Sequence, residues 1–346
     1  MARYALLLLP STNRVYADAA VRLTVAEIEV FNTSVLGRRL SDIGETTLGG
    51  VPYVTFSADE ISDRDASLLA NLSSIYALFR RVDDRLMEPV ELRSLDRFDD
   101  DLITIQKYQG KTNEQFTKLL LNVTLLASAF AEEMLDRKFR VLDPLCGRGT
   151  TLNQALMYGF DAAGMDLDQK DFEAYCSFIQ TWLKRKRLKH SAEVTRVRRE
   201  RQVVARRLHV DVGVTKESYK AGDSLELVYV NADTTKAPEF YRPATFDVVV
   251  ADAPYGVQHG SRTGERGLHR SPLDLLAAAV PGWSRLLRPG GALGISWNTN
   301  VARRADAAAV LADAGLEPLD SGPYQSFSHR VDQAIVRDIL VARRSS

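Results

Sequence analysis

Two short stretches of this chain hold side chains whose types and spacing could do chemistry. The first is Asp252-Ala253-Pro254-Tyr255, directly after the apolar run 246–251. The exocyclic amine of a nucleobase is a poor nucleophile because its lone pair is delocalised into the ring. Accepting its N–H bonds from two directions localises that pair and aims it for an in-line displacement. Asp252 offers a carboxylate for this, Ala253 a backbone carbonyl, Pro254 a fixed turn, and Tyr255 a flat face on which an extracted base can stack. No strong base is needed before attack, because the alkylated amine is cationic and then loses its proton to Asp252 or to water.

The second stretch is Asp143-Pro144-Leu145-Cys146-Gly147-Arg148-Gly149-Thr150-Thr151, which reads as the end of a strand, a glycine loop and the start of a helix. Gly147 and Gly149 let the backbone turn sharply and approach a ligand, since no Cβ stands in the way. Asp166, nineteen residues after Gly147, ends the next apolar run and can accept from both ribose hydroxyls of an adenosine. Asp233 closes a third run, Val230-Asn231-Ala232-Asp233, where it can accept from an adenine amine. Taken singly, Asp166 or Asp233 reads as an ordinary strand-end carboxylate or helix cap; in register after three successive strands they read as a nucleoside site.

Two details separate the loop from a dinucleotide site. Asn153 stands where a third glycine would be needed, and Asp143 guards the loop entrance. A carboxylate there repels a pyrophosphate but suits a ligand with an ammonium and a sulfonium, as in S-adenosylmethionine. A nicotinamide dehydrogenase would need the missing glycine and would leave the tetrapeptide without a role.

These loops need strands to carry them. Beyond residue 112 the pattern predicts a helix over 113–130, then strands at 139–143, 162–166, 225–230, 246–251 and 292–296, alternating with helices that begin near Leu152, Lys170 and Leu273. That alternation predicts an α/β class, a Rossmann-like doubly wound domain with ligands at the carboxyl ends of its strands. Leu287-Arg288-Pro289-Gly290-Gly291 reads as a helix stop and turn. Residues 1–92 read differently, as strand, helix, strand, strand, helix, strand: strands at 4–9, 41–48, 52–57 and 75–79, helices at 16–33 and 59–72, and a tight hairpin at Gly49-Gly50. The expected organisation is a small α+β substrate-recognition domain over 1–92, a polar linker over 93–112, and the doubly wound domain over 113–346.

Composition narrows the partners. With 346 residues and 45% apolar content the chain can bury one large core or two ordinary ones. Lys+Arg and Asp+Glu both total 45, so no global basic field recruits a polyanion and any nucleic-acid site is a local patch. Residues 1–138 carry 16 basic and 21 acidic side chains, which leaves 29 and 24 for the remainder, so the positive charge belongs to the C-terminal part. Eleven Lys or Arg against two acidic residues fall within 184–207, an insertion between the second and third strands that is either a solvated helix face or a phosphate-contacting arm. Cys146 and Cys176 have no zinc or disulfide spacing and neither His259 nor His269 has ligand spacing, so we expect no metal and a reducing, cytoplasmic setting. The apolar stretch 4–10 is too short to cross a bilayer, and no membrane association is expected.

The pair Asp-Pro-Leu-Cys-Gly-Arg-Gly-Thr and Asp-Ala-Pro-Tyr resembles the class I methyltransferases that modify exocyclic amines of nucleic-acid bases. Within them the chain is most similar to the tRNA guanine 2-amino methyltransferases that carry an N-terminal THUMP-type RNA-binding domain. The resemblance covers roughly residues 105–345, and over 1–92 it is a matter of domain order alone. It implies Asp143 to Thr151 around the methionine part of the cofactor, Asp166 at its ribose, Asp233 at its adenine, and Asp252 to Tyr255 at the target. Ala253 departs from the family, which usually has proline there; the backbone carbonyl is unaffected, so the change costs rigidity rather than chemistry. Many bacterial DNA amino-methyltransferases place the tetrapeptide before the glycine loop, whereas here the loop comes first, which tilts the reading toward RNA without excluding DNA; tRNA is what the resemblance implies. By the same resemblance Lys107 to Asn113 closes over the methionine end, although Thr112 or Asn113 reads equally well as a helix cap. The loop 256–271, with Arg262, Arg266 and Arg270, stands at the mouth of the pocket and suits a substrate phosphate. His329 and Arg330 fit either packing or substrate contact. The rival readings are the same chemistry on DNA adenine or cytosine, and an inactive protein that holds cofactor and RNA.

Overall fold

The computed structural model describes residues 1–11, 13–253 and 272–345; Pro254, Tyr255 and the loop 256–271 lie outside the described residues. The first part of the chain forms β1 (Ala2–Leu8), α1 (Arg14–Ser34), β2 (Ser41–Leu48), β3 (Val51–Ala58), α2 (Asp63–Leu69), β4 (Ile75–Arg81) and β5 (Met87–Val90). The strands make one antiparallel sheet in the order β2-β3-β1-β4-β5. Gly49 and Gly50 turn the β2–β3 hairpin at φ 58° and 83°, a left-handed pair that favours glycine. The strand order predicted from the sequence gains β5. Its Met-Glu-Pro-Val run is mostly exposed and carries no apolar alternation, so only its pairing with β4 reveals it.

The polar segment 93–112 is packed rather than loose. Leu95 and Leu102 are buried, and α3 (Asp101–Thr104) sets Asp101 to accept from the Trp182 indole at 2.9 Å and to pair with Lys186 at 2.8 Å. Next comes α4 (Glu114–Ala127), whose residues from Phe116 onward are all buried except Lys118. The Asn113 side chain caps it by accepting from the Phe116 amide at 3.0 Å.

The rest of the chain supplies β6 (Arg140–Asp143), α5 (Thr150–Met157), β7 (Asp161–Asp166), α6 (Gln169–Arg185), β8 (His190–Arg199), β9 (Gln202–Val212), α7 (Lys216–Lys220), β10 (Leu225–Asn231), α8 (Ala237–Phe240), β11 (Phe246–Asp252), α9 (Pro272–Leu286), β12 (Leu287–Asn298), α10 (Arg304–Asp313), β13 (Leu316–Pro318), β14 (His329–Arg330) and β15 (Val336–Arg344). The order across the second sheet is β13-β15-β12-β11-β6-β7-β10-β9-β8, with β14 paired to β15. The five central strands, β12 to β10, run parallel, flanked by antiparallel β15 and β9. This is the doubly wound Rossmann-like arrangement expected from the alternation of strands and helices.

The basic stretch 184–207 departs from the helix-face alternative. Only its first residues end α6, and the remainder is the hairpin β8–β9. Valines at 194, 197, 203 and 204 between arginines favour the extended backbone and make it a ribbon continuing the sheet.

A buried hydrogen-bond network ties the two sheets together through α1 and α4. The Glu27 carboxylate, fully buried, accepts from the Ser73 amide and hydroxyl and, at 2.7 Å, from the Asn122 side chain. Asn122 donates also to the Asn71 carbonyl at 2.8 Å and accepts from the Tyr158 hydroxyl at 2.8 Å. On its other side α4 lies against β12, where a Cβ on Gly294 would collide with Thr124. Among the described residues no helix is long and apolar enough to cross a membrane.

Candidate functional site

From β6 the chain moves outward through β7 to β10 and then returns to β11 on the other side of β6. Where the order reverses, the loops after two neighbouring strands diverge and leave a crevice at their carboxyl ends. Asp143 ends β6 and Asp252 ends β11, so the two carboxylates leave the sheet from adjacent strands.

On the first side of the crevice, the loop after β6 is fastened by its own strand neighbours. The Cys146 amide donates to the Met165 carbonyl at 3.0 Å, the Gly147 amide to Asp166 Oδ2 at 2.9 Å, and the Tyr229 hydroxyl to the Gly147 carbonyl at 2.7 Å. Gly147 and Gly149 have φ of 48° and 77°. At Gly149 a Cβ would also run into the Tyr175 ring, so two independent constraints demand glycine. Pro144 is buried and Leu145 donates its amide to Asp143 Oδ1 at 3.0 Å, which curls the loop back on its entrance carboxylate.

Electrostatics follow from burial. Asp143 is pushed up to about 7 chiefly by desolvation; the Thr151 hydroxyl and the Leu145 amide oppose this, and the charges of Asp252 and Asp166 add to it. Burial likewise raises Asp166, whose Oδ1 accepts from the Asp168 amide at 2.8 Å, and it raises the Cys146 thiol, which is thereby kept protonated. Asp233 sits at the same edge after β10, where its Oδ1 accepts from the Thr235 amide at 2.9 Å and hydroxyl at 2.8 Å and caps the turn Thr234–Lys236.

The segment before α4 reaches the loop. The Tyr108 hydroxyl is 3.3 Å from Thr150 Oγ1, and the Arg148 guanidinium lies 4.7 Å from the Tyr108 ring centre while pairing with Asp171 at 2.8 Å. Lys111 turns away to bond the carbonyls of Ile103 and Gln106 and the Glu114 carboxylate. Capping and contact with the loop, which compete in the sequence, are therefore divided between neighbouring residues.

The other side of the crevice is built from distant segments. Thr112 donates its hydroxyl to Asp252 Oδ2 at 2.6 Å, and the Ser296 hydroxyl donates to Asp252 Oδ1. Ser296 is the cross-strand partner of Asp252 on β12, and its carbonyl accepts the Ala253 amide at 2.8 Å, which holds buried Ala253 against the sheet edge. Sequence reasoning missed Ser296 altogether, and it placed Thr112 either in a segment closing over the cofactor or at the helix cap, not against Asp252. The available signal was a hydroxyl in the otherwise apolar, buried run Leu293 to Trp297.

A cavity of about 50 Å³ opens beside Asn113, lined by Tyr16, His329, Arg330 and Arg337 among others. His329 is buried between the rings of Tyr16 and Phe116, with Nδ1 2.9 Å from the Phe327 carbonyl. Burial and nearby Arg337 and Arg22 push it down to about 4, so it is neutral and packs as an aromatic ring, while Arg330 is exposed.

Residues 121–291 match the family model described as UPF0020, RMKL-like methyltransferase domain. No curated protein matches the chain. Among solved structures, the chain is similar to magnesium protoporphyrin IX methyltransferase from Synechocystis PCC 6803, crystallised with bound SAH, at 13% identity over 69% of this chain and 90% of that one, with a TM-score of 0.39. It is similar also to 1,6-didemethyltoxoflavin-N1-methyltransferase from Burkholderia thailandensis, at 18% identity over 64% and 77%, with a TM-score of 0.35. The family match, on a doubly wound sheet with its glycine loop at the switch point, makes this part of the chain a class I S-adenosylmethionine-dependent methyltransferase domain.

Proposed function

We propose that the protein methylates the exocyclic amine of a base in RNA, guanine in tRNA, within the cytoplasm. The observation that carries this reading is Asp252: an acidic side chain at the switch point, held through both oxygens by neutral hydroxyls and adjoining a backbone pinned at Ala253. The two hydroxyls fix the plane of the carboxylate, and a carboxylate so aimed is the acceptor that an incoming N–H donor, and hence an amine substrate, requires.

The chain's residues suit the cofactor. Among the described residues no cation pairs with the buried Asp143, whose carboxyl burial pushes up to about 7, so an ammonium brought by a ligand favours its ionised form. In this reading Asp143, Pro144, Leu145, Cys146, Gly147, Gly149, Thr150 and Thr151 surround the methionine moiety, Asp166 takes the ribose and Asp233 the adenine. S-adenosylmethionine, when bound, supplies an electrophilic methyl carbon on sulfur and leaves as its thioether. Asp252 and the Ala253 carbonyl accept the two N–H bonds of the target amine and orient its lone pair; once the C–N bond has formed at the expense of the sulfur–methyl bond, the cationic amine loses its proton to Asp252 or to water. Pro254 and Tyr255, which lie outside the described residues, keep in this reading the roles that the sequence assigns them, a turn and a stacking face for the base. Residues 1–92 select the substrate, 93–112 connect, and 113–346 carry out the transfer.

The test is methyl transfer from labelled cofactor to bulk tRNA and to duplex DNA, followed by mass spectrometry of the nucleosides. A methylated guanosine from tRNA is expected. Label in deoxyadenosine or deoxycytidine alone, or in no nucleoside at all, sinks the reading.

A further inference from the structure

The hairpin β8–β9 is longer than the sheet needs. The last β9 residue paired with β10 is Arg206, opposite Asn231 at the carboxyl end of β10. Beyond that pair the ribbon continues with Ala205 back to Gln202 on β9 and with Val197 to Arg199 on β8, paired only to each other. Four residues at about 3.3 Å each make an overhang of about 13 Å. It projects past the carboxyl ends of the parallel strands, the edge on which Asp143, Asp166 and Asp252 lie.

The overhang is basic. Arg196, Arg198, Arg199 and Arg201 are exposed, with Glu200 as the one acid at the tip. Two arginines brace the ribbon: Arg199 pairs with Glu239 and lies over Phe240, and Arg206 pairs with Glu173 and lies over Phe172. Among the described residues Arg196, Arg198 and Arg201 have no carboxylate partner. Arg196 stands directly opposite Arg206, whose charge Glu173 already meets, and so adds a further positive charge to that face of the ribbon. Glu200 and Arg201 form the turn at φ 47° and 67°, positions that favour asparagine or glycine. A chain of zero net charge thus collects unpaired arginines on a ribbon beyond the active edge.

We propose that this ribbon grips the phosphate backbone of the nucleic acid whose base enters at Asp252, with Arg196, Arg198 and Arg201 each neutralising one phosphate. The proposal rests on the nucleic-acid reading given above. Its test is a triple variant, Arg196→Gln, Arg198→Gln and Arg201→Gln, on exposed positions of the full chain. The control is Lys216→Gln with Lys220→Gln on α7, which follows β9 at the opposite, amino-terminal edge. Binding of bulk tRNA and of duplex DNA is followed by fluorescence anisotropy across 50 to 200 mM salt, roughly the range in which counterion release dominates. The triple variant is expected to lose about 2 to 3 units of the slope of log affinity against log salt, and the control none. KM for the nucleic acid should rise while kcat at saturation holds.

A triple variant with the slope and KM of the wild type overturns the proposal and leaves the methylation reading standing. Loss of binding to phosphatidylserine vesicles with nucleic-acid binding unchanged also overturns it. A wild type that methylates no nucleic acid, yet shows a tRNA salt slope that the triple variant loses, sinks the methylation reading and supports the ribbon.

Discussion

The glycine loop after β6 draws its fastenings from β7 and β10, the two strands that follow it in the winding, whereas Asp252 is held by hydroxyls 140 and 44 residues away along the chain. The first arrangement is a turn whose backbone dictates its own residue types. The second is an assembly in which a single carboxylate is aimed by elements with no local reason to be near it. The comparison teaches that one side of the crevice is specified by conformation and the other by register and packing. Damage to the two sides should therefore look different.

The largest effect is expected at the assembled side. Asp252→Asn keeps the size but removes the charge and replaces one of the two accepting oxygens with an NH2 donor, and should cut kcat by about 100-fold or more while calorimetry finds cofactor affinity within a few-fold of wild type. A variant that loses cofactor binding as well would erase the distinction between the two sides. Gly149→Ala attacks the conformational side. With φ at 77° and the Tyr175 ring in the way, it should cost about 2 to 4 kcal/mol of stability and weaken cofactor binding, read by thermal melting and titration.

Asp143 sharpens the comparison through pH. Because burial holds its carboxyl near 7, the folded cofactor-free protein keeps a proton that the unfolded chain releases near 4. Stability of the cofactor-free protein should accordingly fall as pH rises through that window. Binding of an ammonium favours the ionised form, so cofactor affinity should climb by up to about tenfold per unit as pH approaches 7 and then level off. Asp143→Asn should flatten both curves; an unchanged affinity profile would remove Asp143 from the cofactor's side of the crevice. The smallest effect is expected at the hydroxyls. Ser296→Ala and Thr112→Val each delete one contact to Asp252, and each should lower kcat by about 3- to 10-fold with KM for the cofactor unchanged. Equal losses in the two would show that both oxygens of Asp252 need aiming.

What was legible in the sequence follows the same division. The parallel strands and the glycine loop could be read because apolar runs and glycines act locally, and the strand ends fell where Asp143, Asp166 and Asp252 stand. Ser296 could not, because its partnership with Asp252 is a matter of β11–β12 register, which no periodicity records. The basic stretch showed its charge but not its shape: the alternation of valine and arginine is weak, and it is the pairing of β8 with β9, and of β9 with β10, that makes it a ribbon on the sheet. β5 escaped because an edge strand of four residues with a proline has almost no pattern to show.

The network at Glu27 carries one more consequence. Asn122 on α4 satisfies a carboxylate on α1, and Tyr158 satisfies Asn122, so neither half of the polypeptide owns all the partners of its own buried polar groups. A chain cut just before α4 would take from Asn122 and Tyr158 their partners Glu27 and Asn71 and leave a leucine-rich helix bare to water. Dissection is thus the wrong instrument for learning what the first ninety residues contribute; point changes on their outer surface would ask that question without dismantling the catalyst.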